Sequence, residues 1–405
     1  MQDIRLSFRI HEIPTYAIAH KGGRKTLDIN VLEGTLSCDV FYDFRTAPLT
    51  LRADVTVDDE ILLRFTSFRI ELYVNGTLCD EEWPAGERLY GMGDELHTPL
   101  TVLTEADPVA VEERLPSVIG TFENAEGWRP GGGVYVGDCM PYVKGDTYHV
   151  LYLKDRHHHK SKWGLGAHQW EHVSTKDFKT WEIHPMAVAI TDSAEGSVCT
   201  GSWMMRDGVE YLFYTIRMSD GSPAPIRRSI SRDGYHFEKD PDFSFTLPPR
   251  YHGASARDPK VVRDAEGVFH MFLTTSLVPE DRGCLAHFIS HDLDRWEDAG
   301  EPIYVSPDSD QPECPDYICY GGRYYLVFSH HGRAHYLYSD RPFDSWQMPR
   351  DPIIPCAAVP KGAVWQDKIV FTGFARIREY AGTMTFRTAY AAEDGEWIFG
   401  EGMGT

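Results

Sequence analysis

The 405-residue chain carries 40 Lys and Arg against 61 Asp and Glu, a formal net charge of −21 at pH 7. The basic residues are scattered, and no window approaches the 18 or so apolar residues of a membrane span, so we expect neither nucleic acid nor a membrane as partner. With 35 Gly, 25 Pro and 13% aromatic residues, the composition favours short strands and tight turns, and the length favours a large all-β domain with a smaller companion. The N-terminus has no leader pattern and the eight cysteines form no CxxC pair, which predicts a cytoplasmic protein with reduced thiols and no cofactor.

The first hundred residues alternate between apolar and polar positions. This pattern predicts strands over 36–44, 49–57 and 61–74. Asn75-Gly76 follows the last of them and predicts a hairpin, because this pair accepts the positive φ of a type I′ turn. The segment 69–84 resembles part of lectin-like, concanavalin-type domains, which implies a small β-sandwich over residues 1–110. From 111 to 133 the pattern weakens into Gly, Pro and acidic residues, which predicts a linker.

An aromatic-rich strand recurs five times from residue 134 onward. The copies occupy 147–152, 210–215, 268–273, 323–328 and 368–372. Their spacing of roughly 45 to 60 residues is that of four-stranded propeller blades, which must stack into a closed ring because no blade buries both faces alone. We therefore predict a five-bladed β-propeller over residues 134–405. The alternative is a β-sandwich with coincidental aromatic strands.

Three acidic residues, Asp138, Asp258 and Glu313, each stand about ten residues ahead of the aromatic strand of their blade. Propellers bind ligands at one end of the central channel, where the connections between inner strands converge. Acids at equivalent points of different blades are therefore predicted to meet at one mouth. For any single one of them, capping a turn is the alternative role.

Several ordered motifs between residues 134 and 330 resemble glycoside hydrolase family 32 and its five-bladed relatives in families 43, 62 and 68. Arg257-Asp258-Pro259 matches the Arg-Asp-Pro motif of the group, and Glu313-Cys314-Pro315-Asp316 matches its Glu-Cys-Pro-Asp motif. The stretch from Trp163-Gly164 through 170–185 is similar to the family's Trp-Gly, His-Trp-Gly-His and Ser-Lys-Asp-Leu stretch. Thr200-Gly201-Ser202 resembles its Ser-Gly-Ser.

The resemblance implies an exo-acting, retaining, β-fructofuranosidase-like hydrolase of an oligosaccharide or glycoside. It assigns Asp138 as nucleophile, Glu313 as acid/base and Asp258 as the residue that binds sugar hydroxyls and stabilises the transition state. Arg257 is expected to hold Asp258 ionised, and Cys314 to pack beside Glu313. The cleavage needs a fixed carboxylate near the anomeric carbon and a protonated carboxyl near the leaving oxygen, which agrees with these roles. Further side chains expected to bind the substrate are Trp163, Trp170, His168 and Ser202.

One motif departs from the family pattern and keeps two alternatives open. The family usually has Asn-Asp-Pro-Asn-Gly, whereas this chain has 137–141, Gly-Asp-Cys-Met-Pro, so the Asn expected to contact the sugar is missing. The first alternative is an inverting α-arabinofuranosidase or xylosidase of the family 43 type, in which Asp138 is a general base. The second is a non-catalytic carbohydrate-binding protein. The identity of the sugar and the oligomeric state stay open.

Three consecutive histidines, His157 to His159, invite a metal site. Three neighbouring residues cannot all face one ion from a regular element, so we interpret 155–160 as a polar loop over the mouth and predict no metal site. Trp365 in the fifth copy of the repeat either closes the ring or faces the sugar.

Overall fold

The computed structural model describes residues 4–12, 16–21, 24–41, 47–65, 69–82, 98, 100–103, 117–121, 126–131, 134–156, 168–192, 194–218, 220–355, 357–377 and 380–402. In that part of the chain the regular structure is β, apart from the short 3-10 segments Ile10–Glu12 and Gly253–Ser255. A helix long and apolar enough to cross a membrane is absent from it. The predicted all-β class is confirmed.

The N-terminal region folds into two antiparallel sheets. Their strands are β1 (Ile4–Arg9), β2 (Tyr16–Lys21), β3 (Arg24–Leu32), β4 (Thr35–Val40), β5 (Leu49–Asp54), β6 (Glu60–Phe65), β7 (Ile70–Val74), β8 (Thr77–Glu82) and β9 (Thr101–Leu103). One sheet has the order β8-β7-β6-β1-β9 and the other β2-β3-β4-β5. Leu6 and Leu63 of the first sheet share one apolar core with Leu27 and Leu51 of the second. The predicted sandwich is therefore present, because each sheet buries its apolar face against the other.

The hairpin at Asn75-Gly76 is confirmed, with φ of 50° at Asn75 and 79° at Gly76 between β7 and β8. The predicted strand over 61–74 is wrong in extent. It is two strands, β6 and β7, which pair antiparallel from Ile61 opposite Val74 to Phe65 opposite Ile70. Folding back places two apolar segments side by side on the same core, whereas one strand of 14 residues would extend far beyond it.

Within the described residues from 117 onward, the chain forms five antiparallel blades and two preceding strands. The two are β10 (Ser117–Thr121) and β11 (Glu126–Pro130). Blade 1 holds β12 (Val134–Lys144), β13 (Thr147–Arg156), β14 (Gln169–Thr175) and β15 (Glu182–Ile183); blade 2 holds β16 (Glu195–Arg206), β17 (Val209–Met218), β18 (Ile226–Ser231) and β19 (Glu238–Lys239); blade 3 holds β20 (Arg257–Arg263), β21 (Phe269–Leu277), β22 (Arg282–Ser290), β23 (Glu297–Asp298) and β24 (Tyr304–Val305); blade 4 holds β25 (Glu313–Tyr320), β26 (Arg323–His330) and β27 (Arg333–Ser339); blade 5 holds β28 (Ala358–Trp365), β29 (Lys368–Arg376), β30 (Gly382–Ala391) and β31 (Trp397–Gly402). The first strand of each blade is innermost and contacts the first strands of both neighbouring blades.

Apolar clusters fill the gaps between neighbouring blades. Each cluster contains residues of two neighbouring blades. One residue from each side, taken in order around the ring, gives the pairs Leu153 and Leu212, Phe213 and Met271, Phe272 and Leu326, Tyr325 and Ile369, and Val370 and Val150. The last cluster joins blade 5 to blade 1, so the ring is closed. Trp365 belongs to it, and its Nε1 donates to the carbonyl of Asp146 at 3.1 Å. Of its two predicted roles, Trp365 therefore closes the ring.

The stretch predicted as a linker, 111–133, contributes strands to the propeller. β11 pairs with β30 at Trp128 opposite Met384, and β10 pairs with β11. Trp128 is buried in the cluster between blades 5 and 1. A Cβ on Gly127 would lie 1.9 Å from the carbonyl oxygen of Met384, so only glycine permits this approach. The limits of the two domains stay a prediction.

Candidate active site

Each of the five inner strands carries a β-bulge at the same level of the channel. The register shifts lie between Val136 and Cys139, Val198 and Gly201, Arg257 and Lys260, Glu313 and Asp316, and Ala358 and Lys361. The first bulged residue has a φ of 58° at Asp258, 53° at Cys314 and 47° at Val359. A left-handed conformation at residues other than glycine is strained and concentrates at functional sites. The bulges therefore indicate that the functional site lies at one end of the ring.

Asp138, Asp258 and Glu313 line one open pocket of about 1040 Å³ at that end of the ring. The three acids do not hold the same position in their bulges: Asp258 is the first bulged residue, Asp138 the second, and Glu313 directly precedes its bulge. Asp138 and Asp258 are buried, whereas 45% of the Glu313 side chain is exposed. Three carboxyl groups with different environments thus share one pocket.

Both oxygens of the Asp138 carboxylate accept hydrogen bonds. Thr200 Oγ1 donates to Oδ2, and the Tyr380 hydroxyl donates to Oδ1 at 3.0 Å. The Cys314 thiol lies 3.5 Å from Oδ2. Tyr380 comes this close because Gly137 has no side chain: a Cβ there would lie 2.6 Å from the Tyr380 oxygen. These donors fix the direction in which the carboxylate faces the pocket.

The carboxylate of Asp258 is the most enclosed of the three. It accepts a hydrogen bond from the backbone N–H of Cys314 at 3.0 Å, and the thiol of Cys314 lies 3.5 Å from the same oxygen. Burial raises the pKa of Asp258; Arg257 opposes the rise, and the charges of Glu313 and Asp138 add to it. Burial beside the same carboxylates raises the pKa of the Cys314 thiol well above its usual range. Cys314 therefore stays protonated and bridges Asp138 and Asp258.

The guanidinium of Arg257 binds Glu313 more closely than Asp258. Its Nη2 lies 2.8 Å from Glu313 Oε1, whereas its Nε lies 3.6 Å from Asp258 Oδ2. Arg257 Nη1 donates to Gln311 Oε1 at 2.6 Å, and Gln311 Nε2 in turn donates to Ser255 and Ser276. Arg257 opposes the pKa rise of Asp258, the direction expected of a residue that holds it ionised, and it also clamps Glu313 through the closer contact. Its role toward Asp258 stays a prediction.

The other predicted substrate contacts divide into three groups. His168 lines the pocket, where its ring stacks on Tyr380 with centroids 5.3 Å apart. Trp163 lies outside the described residues.

The predictions for Trp170 and Ser202 are wrong in this structure. Trp170 is fully buried between blades 1 and 2, and its Nε1 donates to Cys199, so its face is covered by protein. Ser202 is buried as a link between inner strands: its hydroxyl donates to Pro259 O at 2.8 Å and accepts from Val261 N.

Below the acids, three charged residues meet in the channel. Lys260, Asp316 and Lys361 each follow the bulge of their inner strand. Lys260 Nζ lies 2.5 Å from Asp316 Oδ1, and Lys361 Nζ donates to the carbonyl of Gly201 at 3.2 Å. Burial lowers the pKa of Lys361. Its ammonium group is one of the positive charges that oppose the pKa rise of Asp258.

Sequence reasoning missed Thr200, Tyr380 and Lys361. Thr200 holds the same bulge position in blade 2 as Asp138 in blade 1, so a strict alignment of the inner strands would have found it. Lys361 follows the bulge in blade 5 as Lys260 does in blade 3 and is open to the same argument. Tyr380 lies in the turn between β29 and β30, where no repeat or motif marks it.

The comparisons with known proteins agree with this fold. Residues 139–345 match the model of the glycosyl hydrolases family 32 N-terminal domain, a range that contains Asp258 and Glu313 and begins directly after Asp138. Fructan 1-exohydrolase IIa from Cichorium intybus has a TM-score of 0.54 at 17% identity, over 66% of this chain and 60% of that chain. The GH43_1 enzyme from Xanthomonas citri has a TM-score of 0.51 at 13% identity, over 65% and 91%. At these identities the likeness shows the five-bladed fold alone.

Sucrose-6-phosphate hydrolase of Escherichia coli is 31% identical over 212 residues, which are 48% of this chain and 41% of that relative. The chain thus spans less than half the length of the relative. The family model covers more than half of the chain. This chain belongs to glycosyl hydrolase family 32.

Proposed function

We propose that the chain hydrolyses a β-fructofuranosidic bond with retention of configuration. The observation that carries the proposal is the meeting of Asp138, Asp258 and Glu313 in the wall of one open pocket. Family 32 membership and the likeness to a curated sucrose-6-phosphate hydrolase support the class of bond.

In the proposed reaction Asp138 attacks the anomeric carbon while Glu313 gives its proton to the leaving oxygen. A fructosyl ester on Asp138 results, and the aglycone leaves as an alcohol. Glu313, now ionised, takes a proton from water, whose oxygen attacks the ester and frees Asp138. Asp258 faces the ring between them, where its negative charge favours the positive charge that develops at the anomeric carbon.

The surroundings of each acid suit its proposed role. Thr200 and Tyr380 donate to the two oxygens of Asp138, which keeps that carboxylate aimed at one point. Glu313 is partly exposed beside the pocket opening, where the leaving group and water have access. The clamp from Arg257 holds the carboxylate of Glu313 in one position at the pocket wall.

We further propose that the substrate carries a negative charge, with sucrose 6-phosphate as the first compound to test. Besides the clamp residue Arg257, three arginines line the same pocket, at Arg217, Arg333 and Arg376. A guanidinium binds a phosphate through parallel hydrogen bonds, whereas a neutral disaccharide would use fewer of these donors. A cytoplasmic location is proposed with it, because the seven cysteines that the structure describes are free thiols, as in a reducing compartment.

The test is turnover of a panel by the wild type, Asp138→Asn, Glu313→Gln and the matched control Glu297→Gln, an exposed carboxylate on the outer edge of blade 3. The panel holds sucrose, sucrose 6-phosphate, an aryl β-fructofuranoside and an aryl α-arabinofuranoside. We expect cleavage of the fructosides, preference for the phosphorylated one, and loss of turnover in the first two variants only. In methanol the wild type should form the methyl β-fructofuranoside, the retained product.

Two results would contradict the proposal. Cleavage of the arabinofuranoside alone, with an inverted product, would favour the inverting alternative. Tight binding of a fructoside without turnover would favour the carbohydrate-binding alternative. If Arg333→Gln and Arg376→Gln keep the preference for the phosphorylated substrate, the proposal of a charged substrate is wrong. The proposal that the chain cleaves a β-fructofuranosidic bond would then still stand.

A further inference from the structure

Three histidines meet on the side of blade 1 that faces blade 2. His149 lies on β13, His172 on β14, and His184 directly after β15, where its N–H donates to the carbonyl of His172 at 2.9 Å. All three are buried, and one nitrogen from each lies within 4.8 Å of the others. The cluster lies away from the acids: Tyr142, which contacts His172, is four residues further along β12 than Asp138, and the three histidines are not part of the lining of the acidic pocket.

The contacts inside the cluster are close. His149 Nδ1 lies 3.0 Å from His172 Nε2, and the Tyr142 hydroxyl lies 3.1 Å from the same nitrogen. His184 Nε2 lies 2.7 Å from the hydroxyl of Ser174. Tyr235 of blade 2 covers His184 with ring centroids 4.7 Å apart and is itself partly exposed.

Blade 3 repeats part of this arrangement and shows what is special in blade 1. His270 and His287 lie on the equivalent strands, with Nδ1 of His270 2.8 Å from Nε2 of His287. There Asp264 binds the other nitrogen of His270, and the ring of Phe343 stacks on His270. A histidine pair is therefore a packing device of these blades, and His184 is what adds a third imidazole in blade 1.

We propose that His149, His172 and His184 bind one divalent transition-metal ion, with Zn²⁺ as the expected ion and the Tyr142 hydroxyl or water as fourth ligand. Neutral imidazole is a preferred ligand of zinc, and three histidines with one oxygen complete a tetrahedral shell. Zinc–nitrogen bonds of about 2.0–2.1 Å at tetrahedral angles place the nitrogens roughly 3.3 Å apart. The nitrogens of His149 and His172, 3.0 Å apart, must therefore separate slightly, whereas a nitrogen near the 4.8 Å limit of the cluster must move closer. The proton between His149 and His172 moves to an outer ring nitrogen, so both rings bind as neutral imidazoles.

The ion would fasten the outer strands of blade 1, since its ligands come from β13, β14 and the segment after β15. It would act on stability and not on the reaction, because none of its ligands lines the pocket that holds the three carboxylates. The inference is therefore independent of the proposed glycosidase activity.

The experiment removes bound metal from the full chain with a chelator and then titrates in zinc. Calorimetry measures the binding, and thermal unfolding gives the midpoint temperature with and without zinc. We expect one equivalent of Zn²⁺ to bind and the midpoint to rise, and Co²⁺ to give the visible bands of a tetrahedral site. His184→Gln should bind zinc roughly 100-fold or more weakly. His287→Gln, which alters the pair in blade 3, should bind as the wild type does.

A second cluster provides the competing explanation. Asp308, in the segment between β24 and β25, lies close to His330, the buried last residue of β26, and to the exposed His331 that follows it. Retained binding in His184→Gln, lost binding in His331→Gln, or no zinc binding by the folded wild type would each overturn the proposal. If His184→Gln fails to fold, X-ray absorption of the zinc-loaded wild type decides: three imidazole ligands support the proposal, and a shell dominated by carboxylate oxygens refutes it.

Discussion

Ionisation of the Asp258 carboxyl lowers the free energy of unfolding. Burial raises its pKa above the ordinary value of 3.8, with Arg257 opposing the rise and Glu313 and Asp138 adding to it. Since the folded chain holds this proton more tightly than the unfolded chain does, ionisation destabilises the fold. The cost is absent below the ordinary pKa, grows as the pH rises, and is complete above the raised pKa.

Asp258→Asn should therefore raise the free energy of unfolding at pH 7 and abolish most activity. The gain in stability should shrink as the pH falls through the raised pKa toward the ordinary value of 3.8, since protonation of Asp258 removes the charge that the asparagine lacks. Urea unfolding followed by tryptophan fluorescence between pH 4.5 and 8 measures this. A variant that is less stable than the wild type at pH 7 would mean that Arg257 outweighs burial and the neighbouring carboxylates.

Tyr380 is expected to be a positioning residue for Asp138. Burial and the charge of Asp138 raise the pKa of its phenol, so it remains a donor. A hydrogen bond to a charged acceptor contributes about 1.5–3 kcal/mol, so Tyr380→Phe should lower kcat about 10- to 100-fold. KM should change little, and the exposed Tyr390→Phe should change neither constant. An effect on KM alone would assign Tyr380 to substrate binding.

At the scale of the element, the bulge is the feature that makes the site. It shifts the register of each inner strand. This brings Asp138 and Asp258 to one mouth from different positions within their bulges, and Glu313 from the position directly before its bulge. Gly137, the first bulged residue of blade 1, leaves the space that the Tyr380 hydroxyl occupies.

Gly137→Ala should therefore reproduce the loss expected for Tyr380→Phe, because its methyl group would displace the hydroxyl from Asp138. The two changes act on one contact, so the double variant should lose no more activity than the worse single variant. Steady-state kinetics of the wild type, the two single variants and the double variant complete this double-mutant cycle. Additive losses would mean that the methyl group acts on Leu153, whose Cβ lies 3.1 Å from the added position.

The repeat of aromatic strands was enough to predict the ring, because each copy is the buried second strand of a blade. It was not enough to predict the side-chain environment. Trp170 matches a family motif, yet it faces the core between blades, and which face a strand residue takes depends on its neighbour across the sheet. Tyr380 reaches Asp138 from the last blade, a contact over 242 positions of sequence that only ring closure creates.

At the scale of the molecule, the sandwich and the propeller meet through buried charge. Lys154 of blade 1 lies 2.5 Å from Glu81 of β8 and 3.2 Å from Glu171 of β14, and all three side chains are buried. Taking one partner from a buried ion pair is far more destabilising than replacing the whole pair, because it leaves charge without compensation.

We expect Lys154→Met to lower the free energy of unfolding by about 3–5 kcal/mol, because Glu171 would lose its cation and would face Glu81, which would keep only its ion pair with Arg69. Scanning calorimetry should show the sandwich melting before the propeller, and adding Glu81→Gln and Glu171→Gln should recover most of the loss. Lys176→Met removes a matched ion pair with Asp146 in which both side chains are mostly exposed, and should change stability by less than about 1 kcal/mol. If Lys154→Met melts like the wild type, the contact between sandwich and propeller is held by apolar packing, and its charges contribute little.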